Sequence, residues 1–408
     1  MPGPIQLRLD TCAGVVQWQI DDERNWLEPP SIYETEELAA IRVETRRFVE
    51  REVVPHGEKW EDEGRVPREL FTKLGEMGLF GLRIPESHGG VGLGHLASAT
   101  VAEELGKSTF GGVMASVAVH SELAMPYLYR YASPELQDKY LPRMMSGEMI
   151  GALAVSEPDA GSDVAAMKTR AIRDGDEFVV NGTKMFISNG SSCDVVVLSA
   201  KTDLAVAPHQ GITLFLVEKG TSGFSVSRTL DKHGWRSSDT AELVFEDCRV
   251  PAKNIIGERN RGFYAIMRNF QNERLVLAAA ALGEAKKALE MTVEYVKTRR
   301  AFGKVLWAKQ AIRLKLAELA AAVEAGSQLI YHSAWLLDQG QGAVREVSMV
   351  KAFMSELVNR VLYSCVQFHG GMGYMRESAI ERMSRDARLH PIGGGATEVM
   401  LEEVAKKM

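Results

Sequence analysis

Residues Arg268 to Lys304 read RNFQNERLVLAAAALGEAKKALEMTVEYVKTRRAFGK. Apolar side chains recur at Phe270, Leu275, Leu277, Ala281, Leu282 and Leu289, close to the helical period, so one long helix is expected here, ending in a turn at Gly303. The alanine run Ala278 to Ala281 lets another helix or a ligand come close to the backbone. Inside the apolar part stands a carboxylate, Glu273, with Arg274 beside it. Val276 and Leu277, three and four residues on, share its side of the helix. A carboxylate walled by apolar groups has a raised pKa, because burial disfavours the charged form. That makes a useful base near neutral pH. Taken alone, the stretch fits an ordinary Glu–Arg surface pair better, and the rest of the chain has to change that.

Downstream of this helix (261–300) the pattern stays helical at 308–338, 344–368, 377–388 and 396–407. Short loops between long helices predict an antiparallel bundle over 261–408. Upstream, 151–260 changes texture. Period-2, β-branched runs at 151–155, 177–180, 185–188, 195–200, 212–217, 224–229 and 241–245 predict a β-sandwich or barrel of about 110 residues. Asn181-Gly182 reads as a hairpin turn within it. Residues 34–150 are helical again, with segments at 35–54, 68–77, 97–106, 114–131 and from Pro134 to near Met145. Residues 1–33, with Pro29-Pro30, are expected to be irregular. The fold class is therefore mainly α with a central β domain: an N-terminal helical domain, a middle β domain and a C-terminal antiparallel helical bundle.

Composition excludes several functions. The chain has 408 residues, 45% hydrophobic and 25% charged, with net charge -6, which gives no support to nucleic-acid binding. The longest apolar run, Leu275 to Leu282, falls far short of the roughly 18 residues of a membrane span. Acids at Asp10, Asp21, Asp22 and Glu23, and no apolar signal-type core, lead to the expectation of a cytoplasmic protein. Cys12, Cys193, Cys248 and Cys365 form no CxxC pair and are expected to be reduced thiols, with no metal site. The loop Gly89 to Gly94 does not fit GxGxxG, and Gly106-Lys107-Ser108 lacks the first glycine of a P-loop, that position being Val101.

Four stretches in this order resemble the acyl-CoA dehydrogenase family of flavoproteins, over nearly the whole chain from Tyr33 to Met408. Ala154 to Asp163 (AVSEPDAGSD) resembles the family's flavin loop, and Phe186 to Gly190 (FISNG) its strand along the isoalloxazine. Arg299 to Lys304 (RRAFGK) resembles the turn reaching a neighbouring subunit's flavin, and Gln367 to Tyr374 (QFHGGMGY) the loop at the diphosphate and adenosine. The resemblance implies FAD as cofactor, contacted by Leu153, Val155, Ser156, Phe186, Ile187, Ser188, Arg299, Phe302, Gln310, Gln367, Gly370, Gly371, Ala396 and Glu398. It places Ser162, Met114, Ala118, Arg274, Gly394 and Gly395 at the acyl-CoA substrate. The chemistry of these side chains suits those roles: an aromatic face can stack on the ring, and a guanidinium is always charged beside a diphosphate.

Many members carry the base in a C-terminal loop, as Glu in an Ile-Tyr-Glu-Gly-Thr pattern. Here the loop reads Ile392-Gly393-Gly394-Gly395-Ala396-Thr397, and the base position falls on Gly394. A branch that includes long-chain and isovaleryl-CoA dehydrogenases has the base on the helix, in Glu-Arg-Leu followed by aliphatic residues, as in Glu273 to Leu277 here. The resemblance thus implies that Glu273 takes the α-proton of a medium-to-long or branched saturated acyl-CoA while the β-hydride passes to the flavin, giving a trans-2-enoyl-CoA. Glu398 is the rival carboxylate. An electron-transferring flavoprotein is the implied acceptor and a homotetramer, a dimer of dimers, the implied assembly. Two alternatives stay open: an acyl-CoA oxidase or flavin monooxygenase on the same fold, and a non-catalytic flavin- or CoA-binding relative.

Overall fold

The computed structural model describes residues 31–408, so Cys12, the acids before residue 31 and most of the irregular N-terminal segment lie outside the described residues. Seven helices come first: α1 (Glu36–Phe48), α2 (Gly57–Glu63), α3 (Arg68–Glu76), α4 (Gly94–Gly106), α5 (Gly111–Ala118), α6 (Met125–Tyr131) and α7 (Pro134–Met145). Thr35 caps α1 by accepting the Leu38 N–H at 3.3 Å. The helix expected over 114–131 is interrupted by a π turn, Val119–Ala124, between α5 and α6. Pro126 has no N–H to give to the Glu122 carbonyl four residues back, so that carbonyl is free to accept from elsewhere.

The middle region contains β1 (Gly151–Ala154), β2 (Arg170–Asp174), β3 (Glu177–Ser188), β4 (Val195–Lys201), β5 (Ile212–Glu218), β6 (Phe224–Thr229), β7 (Thr240–Pro251) and β8 (Ile255–Ile256). They run in the order β6-β7-β3-β2-β4-β5-β8, with β1 parallel to β4. The reading of Asn181-Gly182 as a hairpin turn is wrong. β3 runs straight through it, with a register shift against β7 between Val180 and Gly182. Asn181 and Asp247 exchange side-chain and backbone hydrogen bonds of 3.1 and 2.9 Å across the irregularity, and Asp247 itself has φ 47°. The hairpin lies earlier, where Asp174 pairs with Glu177 around Gly175-Asp176, with Gly175 at φ 60°. An Asn-Gly pair supplies the same left-handed freedom to a bulge as to a turn.

Five helices finish the chain: α8 (Gly262–Thr298), α9 (Gln310–Asp338), α10 (Val344–His369), α11 (Ala379–Ala387) and α12 (Thr397–Ala405). Between α8 and α9, β9 (Arg300–Ala301) and β10 (Lys304–Val305) form a hairpin whose two loop residues, Phe302 and Gly303, both have positive φ. The alanine run does what its small side chains permit. α4 crosses α8 so closely that a Cβ on Gly106 would lie 2.3 Å from the Ala280 carbonyl oxygen, and one on Gly283 1.9 Å from that of Glu103. At this crossing the buried Glu103 meets Lys286 at 2.8 Å and Arg42 at 3.3 Å, and Tyr331 donates to it at 2.5 Å, tying α1, α4, α8 and α9 together. Among the described residues, no helix is long and apolar enough to cross a membrane. Cys193, Cys248 and Cys365 are buried and unbridged.

Candidate active site

Glu273 lies on the buried face of α8, 5% exposed, with Leu275 and Val276 in the core beside it. Burial pushes its carboxyl up to about 8, against the lesser opposing pull of the Asn269 hydrogen bond and the charges of Arg274 and Arg83. Asn269 Nδ2 donates to Glu273 Oε1 at 2.9 Å and to the Glu122 carbonyl at 3.1 Å, the carbonyl that Pro126 leaves free. Glu122 is further held by Asn272 at 2.8 Å and Ser98 at 3.1 Å. Glu273 thus stands in a polar collar built by α8 and the π turn, with apolar walls behind it.

The C-terminal loop closes on the same turn of α8. Gly394 has φ 62°, and a Cβ there would sit 2.2 Å from Leu277 Cδ1, one turn beyond Glu273. A Cβ on Gly395 would lie 3.4 Å from Arg274 Nε. Arg274 is buried over the Phe270 ring, 5.7 Å from its centroid, and burial lowers its pKa. Lys351 of α10 staples the loop, donating to the carbonyls of His390 at 2.5 Å and Gly395 at 3.1 Å and to Ser355 Oγ at 3.2 Å. Burial, aided by Arg274, lowers its ammonium to about 8.

The stretches expected to hold a flavin lie on β1, the loop after it, and the end of β3. Val155 and Ile187 are buried, Leu153, Ser156 and Ser188 half-buried. Phe186 is 67% exposed at φ 61°, turned outward where β3 slips register against β7 between Lys184 and Ile187. The loop is rigidly moored: the Met185 N–H donates to the Ser156 carbonyl at 2.9 Å, and Lys184 Nζ reaches the Val155 carbonyl at 3.1 Å and Glu157 at 2.8 Å. These half-buried hydroxyls beside an outward phenyl fit a flat heteroaromatic ring with polar edges. Gly370, at φ 60°, and Gly371 have open space where a Cβ would stand, so their backbone is accessible to a phosphate. Arg299, Gln310, Gln367 and Glu398 are exposed, and Phe302 is 95% exposed with Lys309 Nζ 5.6 Å from its ring centroid. Ala396 is half-buried and Ser162 exposed. Met114 and Ala118 are buried on α5, as plain helix packing would also leave them. Glu398 lines a surface cleft of about 430 Å³ with Glu356, Arg388 and Thr397, in contrast to the enclosed Glu273.

Three family models match the chain in succession: acyl-CoA dehydrogenase N-terminal domain over residues 35–148, middle domain over 152–248 and C-terminal domain over 260–408. The mouse mitochondrial long-chain specific acyl-CoA dehydrogenase is 43% identical over 376 residues, covering 90% of this chain and 85% of that one. The chain belongs to the acyl-CoA dehydrogenase family. The mitochondrial isovaleryl-CoA dehydrogenase of Pongo abelii is 39% identical over 383 residues, covering 93% and 89%. Among solved acyl-CoA dehydrogenase structures, that from Geobacillus kaustophilus superposes with a TM-score of 0.89 at 39% identity, covering 93% of this chain and 99% of that one. A structure described as the FAD complex of PigA gives 0.89 at 29% identity, covering 93% and 99%.

Several residues of this candidate site were not legible in the sequence. Arg83, Glu122, Asn269 and Asn272 surround Glu273, and Tyr127 lies buried nearby. The signals that could have found them are a lone arginine in the apolar run Leu79 to Ile84 and a lone carboxylate in Met114 to Leu128. His120 is structural: it accepts the Gly151 N–H at 3.0 Å and contacts the Met144 carbonyl at 3.0 Å, and burial lowers its pKa to about 4.

Proposed function

We propose that this acyl-CoA dehydrogenase oxidises a medium-to-long or branched saturated acyl-CoA to the trans-2-enoyl-CoA with Glu273 as base. The chain is an oxidoreductase of an FAD-dependent family. When bound, FAD supplies the acceptor for the hydride leaving Cβ. Ser156, Ser188 and Phe186 would hold its ring, Gly370 and Gly371 its phosphates. Glu273 removes the proton from Cα, and the Gly394 N–H donates to the thioester oxygen as negative charge develops there. Arg274, beside Gly395, adds a fixed positive charge near the loop. The observation that carries this reading is the pairing of a buried Glu273, raised to about 8, with a loop position that cannot hold a side chain unless Leu277 moves. The carboxylate is on the helix, and Leu277 occupies the space the loop carboxylate would need.

The similarity to long-chain and isovaleryl-CoA dehydrogenases supports the substrate class. An electron-transferring flavoprotein as acceptor, a homotetramer and a cytoplasmic location belong to the same proposal. The exposed Phe302 on its hairpin is suited to reach a neighbouring subunit. The test is anaerobic bleaching of the bound flavin by a panel of acyl-CoAs from short to long and branched. Bleaching by medium, long or branched chains is expected. Bleaching by none refutes the dehydrogenase reading, and rapid oxygen uptake in an electrode assay would replace it with an oxidase.

A further inference from the structure

Arg83 presents a problem that the reaction above does not solve. It follows the turn Leu79–Gly81, and its neighbours are pinned by hydrogen bonds from the Leu93 N–H to the Leu82 carbonyl at 2.7 Å and from the Gly92 N–H to the Ile84 carbonyl at 2.9 Å. Its side chain is 6% exposed, and Nε, Nη1 and Nη2 are all buried without a hydrogen-bond acceptor. Its ion-pair partner among the described residues is Glu122, 3.3 Å from Nη2 and already engaged by Asn272 and Ser98, while Glu273 feels its charge from further off. A guanidinium is permanently charged and carries five N–H donors. Leaving them unmet in a protein interior is costly, and such orphans call for an explanation.

The orphans gather in one place. Asn272 Oδ1 is also buried and unpartnered, and beside it Tyr127 and Asn269 have their side chains against each other, Asn269 being the residue that holds Glu273. Three elements converge there: the turn carrying Arg83, the π turn carrying Glu122, and the α8 face carrying Asn269, Asn272 and Glu273. A π turn inserted in a helix is frequently a functional feature. A purely hydrocarbon chain beside Glu273 would leave the Arg83 donors unmet, whereas an oxygen on that chain would satisfy them.

We propose that Arg83 forms a subsite for a neutral oxygen, a hydroxyl or a ketone carbonyl, carried on the acyl chain beyond Cβ. The proposal rests on the dehydrogenase reading above and narrows its substrate. The oxygen is neutral because Glu122 already balances the charge of Arg83. A free carboxylate would face Glu122, and Glu273 as well once that group ionises, and be repelled.

The experiment compares holoenzyme turnover of acyl-CoAs with equal carbon number, plain or carrying a hydroxyl or ketone at successive positions beyond Cβ. At one position the oxygenated chain should exceed the plain one in kcat/KM by about 10- to 100-fold, the range of a hydrogen bond to a charged group. In Arg83→Met this ratio should fall to about one or below, while Arg83→Gln, which keeps donors, should retain part of it. Glu122→Gln removes the balancing charge and should raise turnover of an ω-carboxylated chain relative to its plain counterpart. If Arg83→Met does not hold flavin, the position scan on the parent enzyme decides by itself. A flat ratio at every position, with plain chains bleaching the flavin normally, overturns the subsite and assigns the Arg83 donors to water. Bleaching by no acyl-CoA at all overturns the underlying dehydrogenase reading instead.

Discussion

Replacing Glu273 by Gln separates the chemistry of this site from its electrostatics. Gln has the same shape and can still accept the Asn269 hydrogen bond through its carbonyl oxygen, but it cannot take a proton. Flavin reduction by an acyl-CoA should fall by about 10²- to 10⁴-fold or more. In the parent, kcat/KM should rise with pH until the carboxyl ionises near 8 and then level. Stability runs the other way. The folded pKa of about 8 lies above the ordinary 4.5, so the folded state holds a proton that the unfolded chain releases, and stability is lost as pH rises through that window. At ~1.36 kcal/mol per pH unit the whole window is worth ~5 kcal/mol, of which ~3 kcal/mol is reached by pH 7. Glu273→Gln removes this term, so its melting temperature relative to the parent should climb with pH from 5 to 8. The amide contributes a pH-independent offset that leaves the slope intact. The assay is thermal unfolding of both flavin-replete enzymes across pH at one scan rate, beside stopped-flow flavin reduction. A variant that reduces its flavin at the parent rate would refute the base assignment and pass suspicion to Glu398. A flat melting difference would refute the burial argument.

Moving the carboxylate, as Glu273→Gly with Gly394→Glu, should recover little activity, because Gly394 has positive φ and Leu277 stands 2.2 Å from the new Cβ. Adding Leu277→Ala should recover more, read as flavin reduction by a chain-length panel. Ala118→Phe should shift preference towards shorter acyl chains if α5 lines the acyl tunnel. Its overpacking cost of about 1–3 kcal/mol is read from the melting temperature, and an unchanged chain-length profile refutes the tunnel assignment. Arg299→Ala should lose flavin faster on dilution through loss of a charge-assisted contact to the diphosphate. Sedimentation should show at least a dimer; a flavin-loaded monomer at micromolar concentration would rule out the shared site.

Much of the architecture was legible because it depends on local periodicity. The 3.6-residue pattern located α8 to α12 to within a few residues, and alternation located most strands. The misses have local causes too. The stretch 35–54 continues from α1 into a π turn, α2 is too short to show a period, and β2 has only Ala171 buried, so its pattern is faint. Asn181-Gly182 has turn chemistry that a bulge uses equally well. Glu273 was singled out by its place in an apolar helix and by Gly394 standing where a carboxylate is usual.

What the sequence determined by itself is the order of domains, the family and the placement of one carboxylate on a helix rather than in a loop. Each follows from patterns within a few turns of chain. Only the tertiary structure decided what surrounds that carboxylate. Arg83, Glu122 and Asn269 are separated by 39 and 147 residues along the chain, and no local period links them. They meet because Gly106 and Gly283 let α4 close on α8, and because Pro126 frees a carbonyl that Asn269 fills. The raised pKa likewise comes from the burial those contacts produce, since a carboxyl's proton affinity depends on the water it loses, and only the packed chain removes that water.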